Sequence, residues 1–395
     1  MRAPAPDGHP PGSQSSLHRA NVARVLRAVR AAGTLSQAEI SRRTGLSAAT
    51  VSNIVHELAD SGAVEVETAS AGGRRIRRVT LSSSAGVVVG VDFGHSHLRV
   101  AIGDLSHRVL AADREAVDVD ASAEDCLGRA EQLIDTLLAR AGTDRDRVLA
   151  VGLGVPGPID VETGEIGSSA LLPGWVGVRP REALAERLGM PVHADNDANL
   201  GALGELVFGA GRGQDDLVYL KVSTGVGAGL VLGGRIYHGA GGTAGEIGHI
   251  TLDESGAVCR CGNRGCLETH ANAKYLLSLL RDSHGPELTV AGAVALAQDG
   301  DPGCRRVLAD IGRHLGIGVA SLCNLINPRT AIIGGDLAGA GDLLIGPLRE
   351  SVARYAIPSA ARQLRVVPGT LGDRAEVLGA LACAMAETDH AVVVR

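Results

Sequence analysis

The 395-residue chain is 45% apolar but only 2% aromatic, so aliphatic side chains must fill cores large enough for two or three domains. No run of about eighteen consecutive apolar residues occurs, which excludes a membrane-spanning helix; seven cysteines, an odd number without a secretory leader, point to a reducing cytoplasm rather than a disulfide framework. The net charge of −6 divides unevenly, with +5 on residues 1–85 (11 Arg, no Lys) and −11 on the rest, so only the head is suited to meet a polyanion.

Residues 1–16 (MRAPAPDGHPPGSQSS) read as a disordered tail. From His18 to Ala32, Val22, Val25, Leu26 and Val29 recur at helical spacing, and Gly33 ends the run. Ser36 with Glu39 forms a capping box opening a short helix, Gly45 makes a turn, and Ser47 caps a third helix. On that third helix Val51, Ile54, Val55 and Leu58 form the buried stripe, leaving Ser47, Ala48, Thr50, Ser52 and Asn53 to face a major groove. Two alternating runs, AVEVET and RRIRRVTLS, then outline a β wing with Arg74, Arg75, Arg77 and Arg78 near its tip, placed to engage phosphates or a narrow minor groove. Residues 17–82 are thus expected to be a winged helix-turn-helix domain that binds double-stranded DNA.

Beyond residue 83 three strand-like runs between 87 and 117 precede a helix near 123–142 and a strand at VLAVGLGVPG. The pattern returns weakly from DLVYLKVSTGVGAGLVLGG, with helices near 269–281 and 303–326 and a strand at TAIIGG. The reading is a two-lobed α/β body, residues 83–195 and 196–395, whose C-terminal helix can return to the first lobe, with a ligand cleft between lobes. Trp175 is a candidate for the cleft wall, with a place in the core as the commoner fate of a lone tryptophan.

The densest signal lies in GHITLDESGAVCRCGNRGCLE. His249, Cys259, Cys261 and Cys266 supply the four soft ligands of a tetrahedral zinc site, with Gly262 and Gly265 permitting the turns between thiolates. Cys126, Cys304, Cys323 and Cys383 sit singly in apolar helical stretches and read as core.

GEIGH followed by CRCGNRGCLE, together with the winged head, resembles the ROK family of repressors and sugar kinases, in its transcriptional-regulator branch, over residues 17–385. The resemblance implies an actin-like, hexokinase-like body (a duplicated ribonuclease H-like unit) and a structural zinc on the four residues above. It implies sugar contacts from Asn196, Asp197, Glu246, His249 and Glu268, with backbone near Gly157, and in a kinase Asp197 would be the general base. Nucleotide phosphates would lie against Asp92, Gly94, Thr224, Gly225, Gly227, Gly334 and Gly335. There the chain departs from the family's kinases: they carry Asp-x-Gly-Gly-Thr where this chain reads Asp92-Phe93-Gly94-His95-Ser96, which places a bulky His95 where backbone must approach phosphate. The expected function is therefore a sugar-responsive regulator, a repressor, acting on operator DNA as a homodimer or homotetramer. An ATP- and magnesium-dependent hexose or N-acetylhexosamine kinase with a DNA-binding head is the alternative.

Overall fold

The computed structural model describes residues 14–71, 74–82, 85–166 and 172–391. The head comprises α1 (Gln14–Ala32), β1 (Thr34–Ser36), α2 (Gln37–Thr44), α3 (Ala48–Asp60), β2 (Val64–Ala71) and β3 (Arg74–Leu81). Helix α1 begins inside the segment expected to be tail, and β1 was not expected at all; it pairs with β3 through Leu35↔Val79, closing a three-stranded sheet in the order β1-β3-β2. The capping box forms, with Glu39 accepting from the Ser36 backbone at 2.8 Å, and Gly45 takes the left-handed conformation (φ 70°) that turns the chain from α2 into α3.

The body repeats one plan. Strands β4 (Val87–Gly94), β5 (His97–Asp104) and β6 (Val109–Ala116) form a meander, followed by α4 (Ala123–Arg140), β7 (Val148–Val155), α5 (Pro180–Leu188), β8 (Val192–Asn196) and α6 (Asp197–Phe208). The second lobe opens with β9 (Leu217–Val222), β10 (Val226–Leu232) and β11 (Arg235–Ile236), continues through α7 (Glu268–Ala271), α8 (Ala273–His284), α9 (Val290–Gln298) and α10 (Pro302–Ile326) to β12 (Thr330–Gly334), and closes with α11 (Asp342–Tyr355), α12 (Pro358–Ala361), β13 (Arg365–Pro368) and α13 (Ala375–Ala391). The sheets run β6-β5-β4-β7-β8 and β11-β10-β9-β12-β13, each an antiparallel meander extended by two parallel strands. The carboxyl ends of β4, β7, β8, β9 and β12 converge between the lobes, where open parallel sheets place their ligands.

Helix α13 ties the parts together. It packs on α6 and on β4, β5 and β7, and glycines make the approach possible: a Cβ on Gly379 would lie 1.7 Å from the Leu200 carbonyl oxygen, and one on Gly152 1.9 Å from that of Ala380. Further along the same helix, Leu381, Ala384 and Met385 share one apolar cluster with Val22, Val25 and Leu26 of α1, so the core of the head is continuous with α13. Trp175 is fully buried, edge-on to Phe93, with its indole N–H donating to the Val119 carbonyl; it belongs to the first lobe's core rather than the cleft.

Candidate functional site

A cavity of about 330 Å³ opens between the lobes, within the size range of small-molecule sites. Gly157, Asn196, Asp197, Glu246, His249 and Glu268 all line it. Asn196 and Asp197 stand at the junction of β8 and α6 because Asn196 is the helix N-cap: its Oδ1 accepts the Ala198 N–H at 2.9 Å, and its Nδ2 donates to the Gly157 carbonyl at 3.2 Å. Glu246 and His249 are carried by a one-turn segment pressed against β10. The glycines of GEIGH are needed there, since a Cβ on Gly245 would meet the Ala228 oxygen at 1.9 Å and one on Gly248 the Val226 oxygen at 2.1 Å. Burial, with the charges of Asp197 and Glu268 adding to it, pushes the Glu246 carboxyl up to about 7.

His249 belongs to two groups at once. Its Nε2 lies 3.6 Å from Glu246 Oε2 on the cavity side, and its Nδ1 lies 3.6 Å from Cys259 Sγ. The ligand atoms of His249, Cys259, Cys261 and Cys266 all fall within 4.8 Å of one another, with Cys261 and Cys266 sulfurs 3.7 Å apart. A tetrahedral ion with Zn–S bonds of about 2.3 Å holds its sulfurs about 3.8 Å apart, so the donor set and its spacing fit zinc. The turns are supplied by Gly262 (φ 95°) and Gly265 (φ 56°), the latter so close to Asp253 that a Cβ would sit 1.6 Å from its carbonyl oxygen. Glu268 spans both groups: Oε1 lies 3.1 Å from Cys259 Sγ and 3.4 Å from Arg260 Nε. Of the four cysteines read as core, Cys126, Cys304 and Cys323 are buried and Cys383 is partly so. Cys304 also lies beside His284 and Asp301.

The nucleotide-side residues separate. Gly94, Thr224, Gly225, Gly227 and Gly335 line the cavity, but Gly334 does not: it makes room for Tyr219, whose hydroxyl would lie 2.2 Å from an added Cβ. Asp92 lies outside the cavity wall, almost wholly buried, with neither carboxylate oxygen hydrogen-bonded. His95 turns its Nδ1 to Asp120 at 2.6 Å, and the β4–β5 turn wraps so tightly that a Cβ on Gly94 would touch the His97 ring at 2.3 Å.

Sequence reasoning missed the charges at the floor of the cavity. Lys221 of β9 donates to Asp197 Oδ2 at 2.8 Å and lies 3.6 Å from Glu376 Oε1, and Tyr219 donates to the same Glu376 oxygen at 3.0 Å. Burial alone would lower the Lys221 ammonium, but Asp197, Glu376 and Asp92 outweigh it and raise it above its ordinary value. Arg99 of β5 is paired with Asp373 just ahead of α13. Local sequence offered no sign of these contacts, which join residues remote along the chain.

In the head, Ser47 spends its hydroxyl on the Thr50 N–H as N-cap of α3. Ala48 and Asn53 are exposed, and Thr50 and Ser52 partly so, on the face opposite Val51, Ile54, Val55 and Leu58. Arg77 and Arg78 are exposed on β3, opposite Thr68 and Glu67. The backbone of Arg74 and Arg75 belongs to β3; their side chains, and the wing tip at residues 72–73, lie outside the described residues.

A winged helix-turn-helix head on a duplicated α/β body with an interlobe cavity defines a transcriptional regulator built on the hexokinase-like fold. The chain belongs to the ROK family, whose profile matches residues 88–387, and a MarR-family profile matches residues 16–76 of the head. It is 32% identical over 392 residues to the xylose repressor of Caldicellulosiruptor bescii, covering 95% of this chain and 98% of that protein. Its fold is similar to that of a solved ROK family transcriptional regulator, a homolog of the E. coli MLC protein, with TM-score 0.82 and 26% identity over 96% of this chain and 98% of that one. A ROK family glucokinase from Streptomyces griseus, solved with glucose and AMPPNP, matches with TM-score 0.66 and 29% identity over 76% of this chain and 99% of the kinase. The full-length likeness is to regulators; the likeness to kinases leaves about a quarter of the chain uncovered. Among the described residues no helix is long and apolar enough to cross a membrane.

Proposed function

We propose that the chain is a sugar-responsive repressor acting in the cytoplasm, with Asn196, Asp197, Glu246, His249 and Glu268 holding the sugar and the Gly157 backbone closing the site. The observation that carries this reading is the convergence of three carboxylates, an amide and an imidazole on one cavity. Such a set can pair donors and acceptors with vicinal hydroxyls. Zinc on His249, Cys259, Cys261 and Cys266 would supply structural bracing and no reaction step. By engaging Nδ1 of His249 it would fix that ring and leave Nε2 to the sugar. The similarity to a xylose repressor and to glucokinases makes D-xylose and D-glucose the first ligands to try.

At the DNA end, Ala48, Thr50, Ser52 and Asn53 of α3 read base edges, with Ser47 holding the start of that helix, and Arg74, Arg75, Arg77 and Arg78 of the wing contact the backbone or minor groove. Each head reads a half-site, so the working unit is a homodimer or homotetramer. Phosphoryl transfer is the weaker reading, because Lys221 engages the Asp197 carboxylate that would have to accept a proton and His95 intrudes on the first phosphate loop. The test is thermal shift of full-length, zinc-loaded protein across a carbohydrate panel, with a coupled ATP–magnesium assay alongside. Stabilisation by at least one sugar, abolished in Glu246→Gln, is expected without turnover. Turnover lost in Asp197→Asn would replace this reading with the kinase, and no stabilisation by any sugar would remove the effector site.

A further inference from the structure

Lys221, at the floor of the cavity, is acted on by three acids that come from different parts of the fold, two lining the cavity and Asp92 behind its wall. Lys221 lies on the first strand of the second lobe, Asp197 at the first residue of α6, Glu376 at the second residue of α13 and Asp92 on the central strand of the first lobe. The ammonium lies 2.8 Å from Asp197 and 3.6 Å from Glu376. Asp92 also acts on it electrostatically, and both Asp92 carboxylate oxygens are buried and without a hydrogen-bond partner, their one ion-pair contact being His97 Nε2 at 3.4 Å from Oδ2, charged only when that ring is protonated. A buried carboxylate in that condition is costly and gains from any donor that moves toward it. Asp92 is therefore the candidate second partner for the lysine besides the one it occupies.

We propose that Lys221 is a two-position coupling residue: a ligand hydroxyl that bonds Asp197 competes with the ammonium for that carboxylate, the ammonium shifts toward Asp92, and its hold on Glu376 repositions the start of α13. The path onward is rigid. Glycine contacts seat α13 closely against α6 and the first sheet, so that a displacement of its first turn is passed along the helix rather than absorbed in a loose interface. The same helix shares its apolar cluster with α1, so a shift at Glu376 reaches the DNA-binding head through packed side chains. The ligand's differential effect is the exchange of a satisfied Asp197–Lys221 pair for a satisfied Asp92, which gives occupancy a means to favour one state. The coupling rests on Asp197 being part of the sugar site, as proposed above.

Hydrogen exchange followed by mass spectrometry on the full-length, zinc-loaded protein tests it in two arms. Without sugar, Lys221→Met and Glu376→Gln should each speed exchange in residues 375–382 at least tenfold; unchanged exchange in both overturns the proposal. With D-xylose or D-glucose at saturation for each protein, wild type should change exchange in 375–382 as well as at 246–249, and Glu376→Gln should keep the change at 246–249 and lose that in α13. An α13 response equal to wild type in Glu376→Gln, or absent from wild type while 246–249 are protected, overturns the coupling. Absence of protection at 246–249 in wild type would count against the sugar site, while the sugar-free arm would still decide whether Lys221 and Glu376 hold the start of α13. Should Lys221→Met not fold, Glu376→Gln carries both arms.

Discussion

Replacing Gly379 by Ala tests the seating of α13 more sharply than any other single change. The new methyl carbon would lie 1.7 Å from the Leu200 carbonyl oxygen, against an ordinary contact of roughly 3.5 Å, so α6 and α13 must part by on the order of 1.5 Å. Rotamers cannot relieve a clash with backbone. Nor can α13 simply retreat, since the Ala380 oxygen faces Gly152 and the Val377 oxygen faces Gly90 of the sheet, where added Cβ atoms would lie 1.9 and 2.5 Å away. Overpacking costs about 1–3 kcal/mol, and this site belongs at the upper end; Gly→Ala in a helix returns about 1 kcal/mol. A net loss of roughly 2 kcal/mol lowers Tm by about 2–3 °C for a cooperative unit of this length. Gly128→Ala is the control: it lies inside α4, where the added carbon would meet only the Arg187 guanidinium at an ordinary 3.7 Å, and it should stabilise by about 0.5–1 kcal/mol. Differential scanning calorimetry on the three proteins decides. Equal Tm for Gly379→Ala and wild type would refute the tight packing on which the route from cavity to head depends.

Asn53→Ala should change which sequences the head selects, whereas Arg77→Ala should weaken all sequences alike and reduce the salt slope by about 1, as anisotropy titrations at several salt concentrations will report. Cys261→Ser should cut bound zinc well below one per chain by elemental analysis and lower both Tm and sugar affinity, because Cys261 and His249 belong to one ligand set. His284, raised above its ordinary value chiefly by its hydrogen bond to Asp301, stabilises the fold in its protonated form. That contribution is complete below about pH 6.5 and disappears as pH rises through the folded-state value. The stability gap between wild type and His284→Gln should therefore shrink between pH 6 and pH 9 in urea titrations.

What could be read in advance was local in the chain. The ligand quartet of residues 249–266, the Ser36–Glu39 capping box and the buried stripe of α3 each declare their chemistry within a few turns of sequence. The repeated meander was visible as alternating apolar runs, and the structure draws it as two sheets of identical strand order. Contacts between distant segments were legible only where the family resemblance supplied them, as for Gly157, Asn196, Glu246 and Glu268 around one cavity. Lys221 meets Asp197 across 24 positions and Tyr219 meets Glu376 across 157, and in sequence Glu376 looks like any acidic residue in a helix's first turn. Gly334 was read as a phosphate-side turn from its neighbours IIGG; only packing shows that it clears space for the Tyr219 ring. Strand β1 was missed because three residues are too few to display alternation, and its partner β3 supplies the reason it is a strand.

Occupancy of the cavity is proposed to govern DNA binding. This is tested most directly by the affinity of full-length, zinc-loaded protein for a duplex it selects from genomic DNA, measured by anisotropy at fixed salt with and without the sugar that stabilises it. At least a tenfold change in Kd, absent in Glu246→Gln, is the predicted result. An unchanged Kd with the cavity saturated would contradict the account.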